Sequence, residues 1–243
     1  MQRNIRLILE YDGTQFCGWQ VQPRKRTIQG EIEQALERVL KEKINLIGAG
    51  RTDAGVHALG QVANFKTKNK LKLEGIFKGL NSLLSPDIVV KSIKETRKDF
   101  HSRFSAKSRT YRYRIFLGRT AVLRNFVWEV RHNLDTSKMA NAAKEILGKH
   151  DFSSFCVAKS SKQSNICNIL KAKWKKSRDD LIFEIEADRF LHSMVRVLVG
   201  TMVDVGRGYS SISGFRKILL SKDRRKAGLT APAKGVYLVK VKY

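Results

Sequence analysis

The amino-acid sequence predicts an α+β fold. Three observations lead there. Each part of the chain mixes several strands with one or two long amphipathic helices, strands often follow one another directly, and 243 residues suffice for one large or two small globular domains. The boundary between two such domains is expected near residue 104, giving 1–104 and 105–243.

Asn4 to Tyr11, rich in Ile and Leu, reads as the first strand, and Asp12-Gly13-Thr14 closes it with turn-forming residues. Thr27 is placed to cap a helix, because Ile28, Ile32, Ala35, Leu36, Val39 and Leu40 recur along one helical face up to Lys41. Strands are expected at Gln61 to Lys66 and Ile88 to Ile93. Between them Leu73, Ile76, Phe77, Leu80, Leu83 and Leu84 form a second apolar stripe, which ends at Ser85-Pro86, where proline prevents continuation.

The second part begins with an alternating strand through Tyr111, Tyr113, Ile115 and Leu117, and another strand follows near Phe126 to Val130. Asp135 or Thr136 then caps a helix expected to run through Leu147. Ile169 to Lys176 and Leu181 to Ala187 pair around the charged turn Ser177 to Asp180. The apolar stretch Leu191 to Val203 predicts a buried helix, followed by a short helix at Phe215 to Leu220 and a last strand at Val236 to Lys242.

Charge narrows the function. Lys and Arg number 48 against 22 Asp and Glu, a net +26, which costs stability through self-repulsion and points to a polyanionic partner. Residues 1–104 carry 19 basic and 11 acidic groups, and residues 105–243 carry 29 and 11, so the excess belongs to the folded surface rather than to a tail. Three cysteines, Cys17, Cys156 and Cys167, show neither a CxxC pair nor zinc spacing, which predicts a reduced, cytoplasmic protein without a metal. No apolar run reaches the length of a membrane span.

Three segments carry candidate chemistry. Gly48 to His57 surrounds Arg51, Asp53 and His57 with three glycines. A carboxylate held by a guanidinium stays ionised and can serve as nucleophile or base; the same segment also reads as a tight loop with a structural Asp/Arg pair. It lacks GxGxxG and GxxxxGK, and no helix opens after it, which argues against a nucleotide fold. Phe100 to Arg114 interleaves four arginines and one lysine with four aromatics, as expected where unpaired nucleotides are held. Tyr111 and Tyr113 read equally well as ordinary sheet-face aromatics. In the third segment Arg196 interrupts an apolar helix and requires a carboxylate partner, with Asp53 one candidate and Asp188 or solvent the alternatives.

Taken together, the motifs resemble the TruA-type tRNA pseudouridine synthases over almost the whole chain. Tyr11 to Gln20 (YDGTQFCGWQ), Gly50 to Ala58 (GRTDAGVHA), Phe100 to Tyr113, Arg189 to Arg196 (RFLHSMVR) and Thr230 to Leu238 (TAPAKGVYL) match that family's blocks in order. The resemblance implies two similar RNP-like (ferredoxin-like) domains with antiparallel sheets joined across a central cleft. It implies isomerisation of uridine to pseudouridine at positions 38, 39 and 40 of the tRNA anticodon stem-loop, without a cofactor, by a homodimer. By the same resemblance Asp53 is the catalytic carboxylate, Arg51 displaces the target nucleotide, Tyr111 stacks on the uracil, and Arg196 pairs with Asp53. Asp188 and Ser193 depart from the family pattern, where Asn and His are expected, which leaves the local tRNA contacts open. Alternatives are a paralogous synthase acting on another RNA site and a noncatalytic RNA-binding protein with an RRM-like sheet, although no RNP1-type run is present.

Overall fold

The computed structural model describes residues 2–157 and 164–243. It divides into two compact units, Met1–Lys107 with Leu238–Tyr243, and Ser108–Tyr237. The division therefore falls three residues after the boundary read from sequence, and the last six residues belong to the first unit.

In the first unit, β1 (Arg3–Tyr11) lies between β3 (His57–Thr67) and β4 (Ile88–Thr96), antiparallel to both. Leu7 stands opposite Ala63 on one side and Ile93 on the other. A two-residue strand, β2 (Ile47–Gly48), pairs with Ala63 and Asn64 of β3. The chain order β1, α1 (Ile28–Leu40), β2, β3, α2 (Leu73–Leu83), β4 with sheet order 4-1-3-2 is the ferredoxin-like arrangement. Alternate residues Ile5, Leu7 and Leu9 are fully buried, as are Ile32 and Leu36 of α1 and Phe65 of β3. Each such side chain contributes about 1.5–3 kcal/mol relative to an exposed one.

The caps follow from local chemistry. Thr27 adopts extended backbone and its hydroxyl accepts from Gly30 N–H, while Lys41 closes α1 in the left-handed region at φ 56°. Helix α2 ends at Leu83, before Pro86.

The second unit repeats the plan. β5 (Ser108–Leu117) pairs antiparallel with β9 (Asp180–Ala187), β9 with β8 (Ile166–Ser177), and β8 with β7 (Gly148–Asp151). A short strand, β6 (Trp128–Val130), runs parallel to β5. Helices α3 (Thr136–Lys144), α4 (Met194–Gly206) and α5 (Ile212–Ser221) complete the unit, and β10 (Val236–Lys242) begins in it and ends in the first. In chain order β5, α3, β8, β9, α4 correspond to β1, α1, β2, β3, α2, and the neighbour relations within the sheets correspond as well. Tyr113, Phe183, Ile185, Phe152, Phe155 and Phe215 form its buried core.

Two expectations are corrected. Helix α3 stops at Lys144 rather than Leu147: Glu145 and Leu147 bond three residues back, and Gly148 turns at φ 87° into β7, which the sequence reading did not foresee. Ile146 stays fully buried beyond the helix end, so the apolar spacing outlasts the helix. Helix α4 starts at Met194 rather than Leu191, because Ser193 takes the left-handed conformation at φ 56°. Among the described residues, no helix is long and apolar enough to cross a membrane.

Candidate functional site

Two motifs far apart in sequence form one structure in the first unit. The loop between β2 and β3 carries Arg51 and Asp53, and the segment after β1 cradles it. Trp19 N–H donates to Thr52 O at 3.0 Å, Gly55 N–H to Phe16 O at 3.4 Å, and Tyr11 Oη and Thr52 Oγ1 share a buried hydrogen bond of 2.9 Å. From β3, Gln61 Nε2 donates to Gly50 O at 2.8 Å. Val56 N–H then closes a turn on Asp53 O at 3.2 Å. The backbone on both sides of Asp53 is thus fixed by main-chain and buried side-chain partners.

Close approach explains the glycines of the cradle. A Cβ on Gly13 would lie 2.0 Å from Val56 O, and one on Gly48 would lie 2.6 Å from the Trp19 ring. Gly18 sits at φ 93° against Thr52 and Ala54. His57 is 2% exposed and its Nδ1 accepts from Gly13 N–H at 3.1 Å, so it serves packing and hydrogen bonding.

Thr52 is buried, Asp53 half-buried and Arg51 exposed. Neutral hydrogen bonds from Tyr11, Trp19 and Gln61 hold this loop.

Tyr111 and Arg196 belong to the second unit. Tyr111, half-buried on β5 opposite Ile185, meets Phe190 edge to face at 4.9 Å. Tyr113 is fully buried; its hydroxyl donates to Pro232 O at 2.8 Å and Gly235 packs on its ring. Burial pushes its phenol well above the usual tyrosine range, and the Arg196 guanidinium pulls the other way. Tyr113 is therefore a core residue, and only Tyr111 has the exposure a substrate contact needs.

Arg196, half-buried on α4, donates from Nε to Ala231 O at 2.8 Å, and Ala231 N–H returns a bond to Arg196 O at 3.2 Å. Asp188 Oδ1 accepts from the N–H groups of Asn168 and Arg189. Arg224 braces the same segment, with bonds to Ala227 O, Gly228 O and Thr230 Oγ1. Sequence reading missed Phe190, Ala231 and Arg224 as supports of these residues. Phe190 adjoins Arg189 in a recognised block, but its contact with Tyr111 arises only from folding. Among the described residues, no group of three or more His, Cys, Asp or Glu is placed to hold a metal ion.

The sequence matches the family model described as tRNA pseudouridine synthase over residues 7–105 and 142–243. Three similar proteins carry the name tRNA pseudouridine synthase A. That of Thermoanaerobacter sp. (strain X514) is 45% identical over 99% of this chain and 100% of its own length. That of Acetivibrio thermocellus is 44% identical over 99% and 100%, and that of Geobacillus kaustophilus 43% over 100% and 95%. With the loop of Arg51 and Asp53 held on one ferredoxin-like unit and Tyr111 and Arg196 on another, these matches place the chain in the family of tRNA pseudouridine synthases.

Proposed function

We propose that the protein isomerises uridine to pseudouridine at positions 38, 39 and 40 of the tRNA anticodon stem-loop, as a cytoplasmic homodimer. The observation that carries the reading is the fixed loop around Asp53, which holds a half-buried carboxylate from a rigid backbone.

In the reaction the N1–C1′ bond of the target breaks, the uracil turns, C5 bonds to C1′, and C5 loses its proton while N1 ends protonated. Asp53 is the catalytic residue. A carboxylate there has two routes, attack on C1′ or removal of a ribose proton, and both gain from a loop that spends no energy on reorganisation. Arg51, in solvent beside it, is assigned to displacing the target nucleotide, which must leave its stack before any group reaches C1′. Tyr111 stacks on the uracil and keeps the freed base from escaping. Arg196 is assigned to substrate binding, and its Nε–H bond to Ala231 O orients the side chain.

The test is release of hydrogen from tRNA labelled at uridine C5. The native protein is expected to release it and Asp53→Asn to release none, with tRNA binding kept in both. Equal release, or none from the native protein on any tRNA, would sink the reading. Mapping the modified nucleotide checks positions 38 to 40, and sedimentation with and without tRNA checks the dimer.

A further inference from the structure

The segment between β4 and β5 presents an aromatic group that the reaction above does not use. Phe104 is 75% exposed. The His101 ring lies against it, with centroids 4.3 Å apart and planes 32° apart, and the Arg103 guanidinium carbon stands 5.6 Å from its centroid.

The turn beneath is tightly held. His101 Nδ1 accepts from the N–H groups of Arg103 and Phe104 at 3.2 and 3.3 Å, and Ser105 bonds back to His101 at both its N–H and its hydroxyl. Below it Ser102, fully buried, donates from N–H and Oγ to Asn64 Oδ1 at 2.8 and 2.7 Å. Asn64 Nδ2 donates to Asn4 Oδ1 at 2.9 Å, and Asn4 Nδ2 to the carbonyls of Arg97 and Phe100. Tyr243 completes the support, its hydroxyl donating to Ser102 O and its ring lying 4.9 Å from that of Phe100.

A satisfied buried polar network of this kind is rigid. Here it fixes a phenyl ring in solvent, where the ring adds nothing to the core and its hydration is unfavourable. A rigid ring backed by an imidazole and flanked by a guanidinium suits a partner with a flat π-face and an adjacent negative charge. Both belong to one nucleotide, and a protein of net charge +26 favours such a polyanion.

We infer that Phe104, with His101 behind it and Arg103 beside it, is a stacking site for an unpaired base of the bound RNA, distinct from the uracil assigned to Tyr111. The ring takes the base and Arg103 the adjoining phosphate. The inference rests on the RNA-substrate reading above and adds a second nucleotide contact to it.

The test compares the native full chain with Phe104→Ala and Phe104→Trp, measuring the Kd for tRNA, the KM and kcat of hydrogen release, and the Tm. Phe104→Ala is expected to weaken tRNA binding about 5- to 100-fold, to raise KM in proportion and to leave Tm unchanged. Phe104→Trp is expected to keep affinity and to show indole emission that tRNA quenches. An active native protein whose Phe104→Ala variant keeps its Kd and KM overturns the stacking site and leaves the synthase reading standing. An inactive native protein whose affinity still depends on Phe104 does the reverse. Lost affinity accompanied by a lower Tm and not restored by Trp also overturns the stacking site.

Discussion

At the scale of single residues, the loop around Asp53 depends on groups that carry no charge. Tyr11 and Thr52 share a buried hydrogen bond, Gln61 reaches Gly50, and Trp19 holds Thr52 through the main chain. Gly13 is required for space, because any Cβ there meets Val56 O at 2.0 Å. Gly13→Ala must therefore push Val56, and with it the turn on Asp53 O, out of place. We expect a loss of about 1–3 kcal/mol of stability, as for other overpacked sites, together with hydrogen release reduced by tenfold or more. Thermal denaturation and the C5 release assay check the two parts, and native-like values in both would show that the cradle yields. Gly48 was legible in the sequence as part of an unusual run, whereas the partners of Gly13 and Gly18 were not, since they lie some 40 positions away.

At the scale of elements, periodicity recovered α1, α2, α5 and the strands β1, β5, β9 and β10 within a few residues. Elements too short to show a period, β2 and β7, escaped it. The hairpin of β8 and β9 turns on Arg178 and Asp179, with Arg178 at φ 49°, and its outer positions carry opposed charges. Glu184 meets Lys171 at 2.5 Å and Arg112 at 3.5 Å. The Lys171 hydrogen bond holds the Glu184 carboxyl below its ordinary value of 4.5, against a smaller push from burial. A carboxyl with a lowered folded pKa stabilises fully above its unfolded value, and that contribution fades as pH falls through the folded one. Glu184→Gln is thus expected to lower stability at pH 7 by no more than about 1 kcal/mol, because the pair is partly solvated. The difference from the native protein should shrink toward zero by pH 3, and a gap in Tm that persists there would contradict this.

At the scale of the whole molecule, the charge is the dominant feature. An excess of +26 spread over both parts of the chain predicts counterion release on binding tRNA, with affinity falling steeply as salt rises. Between 50 and 200 mM salt we expect the Kd to rise about tenfold or more, measured by filter binding. A flat profile would mean that the basic surface does not meet phosphates. The three free cysteines, two of them buried, take no part in this, and burial raises the Cys167 thiol to about 12, which keeps it an inert core group at neutral pH.

The sequence by itself determined the α+β class, the polyanionic partner and the identity of the five blocks, because composition, periodicity and local motifs are properties of neighbours along the chain. Only the tertiary structure decided that the blocks after β1 and before β3 form a single cradle and that Arg196 grips Ala231. It also separated the buried Tyr113 from the accessible Tyr111, two residues on the same strand that the sequence could not tell apart. Those outcomes depend on burial and on hydrogen bonds between residues distant in sequence, which exist only once the chain has packed.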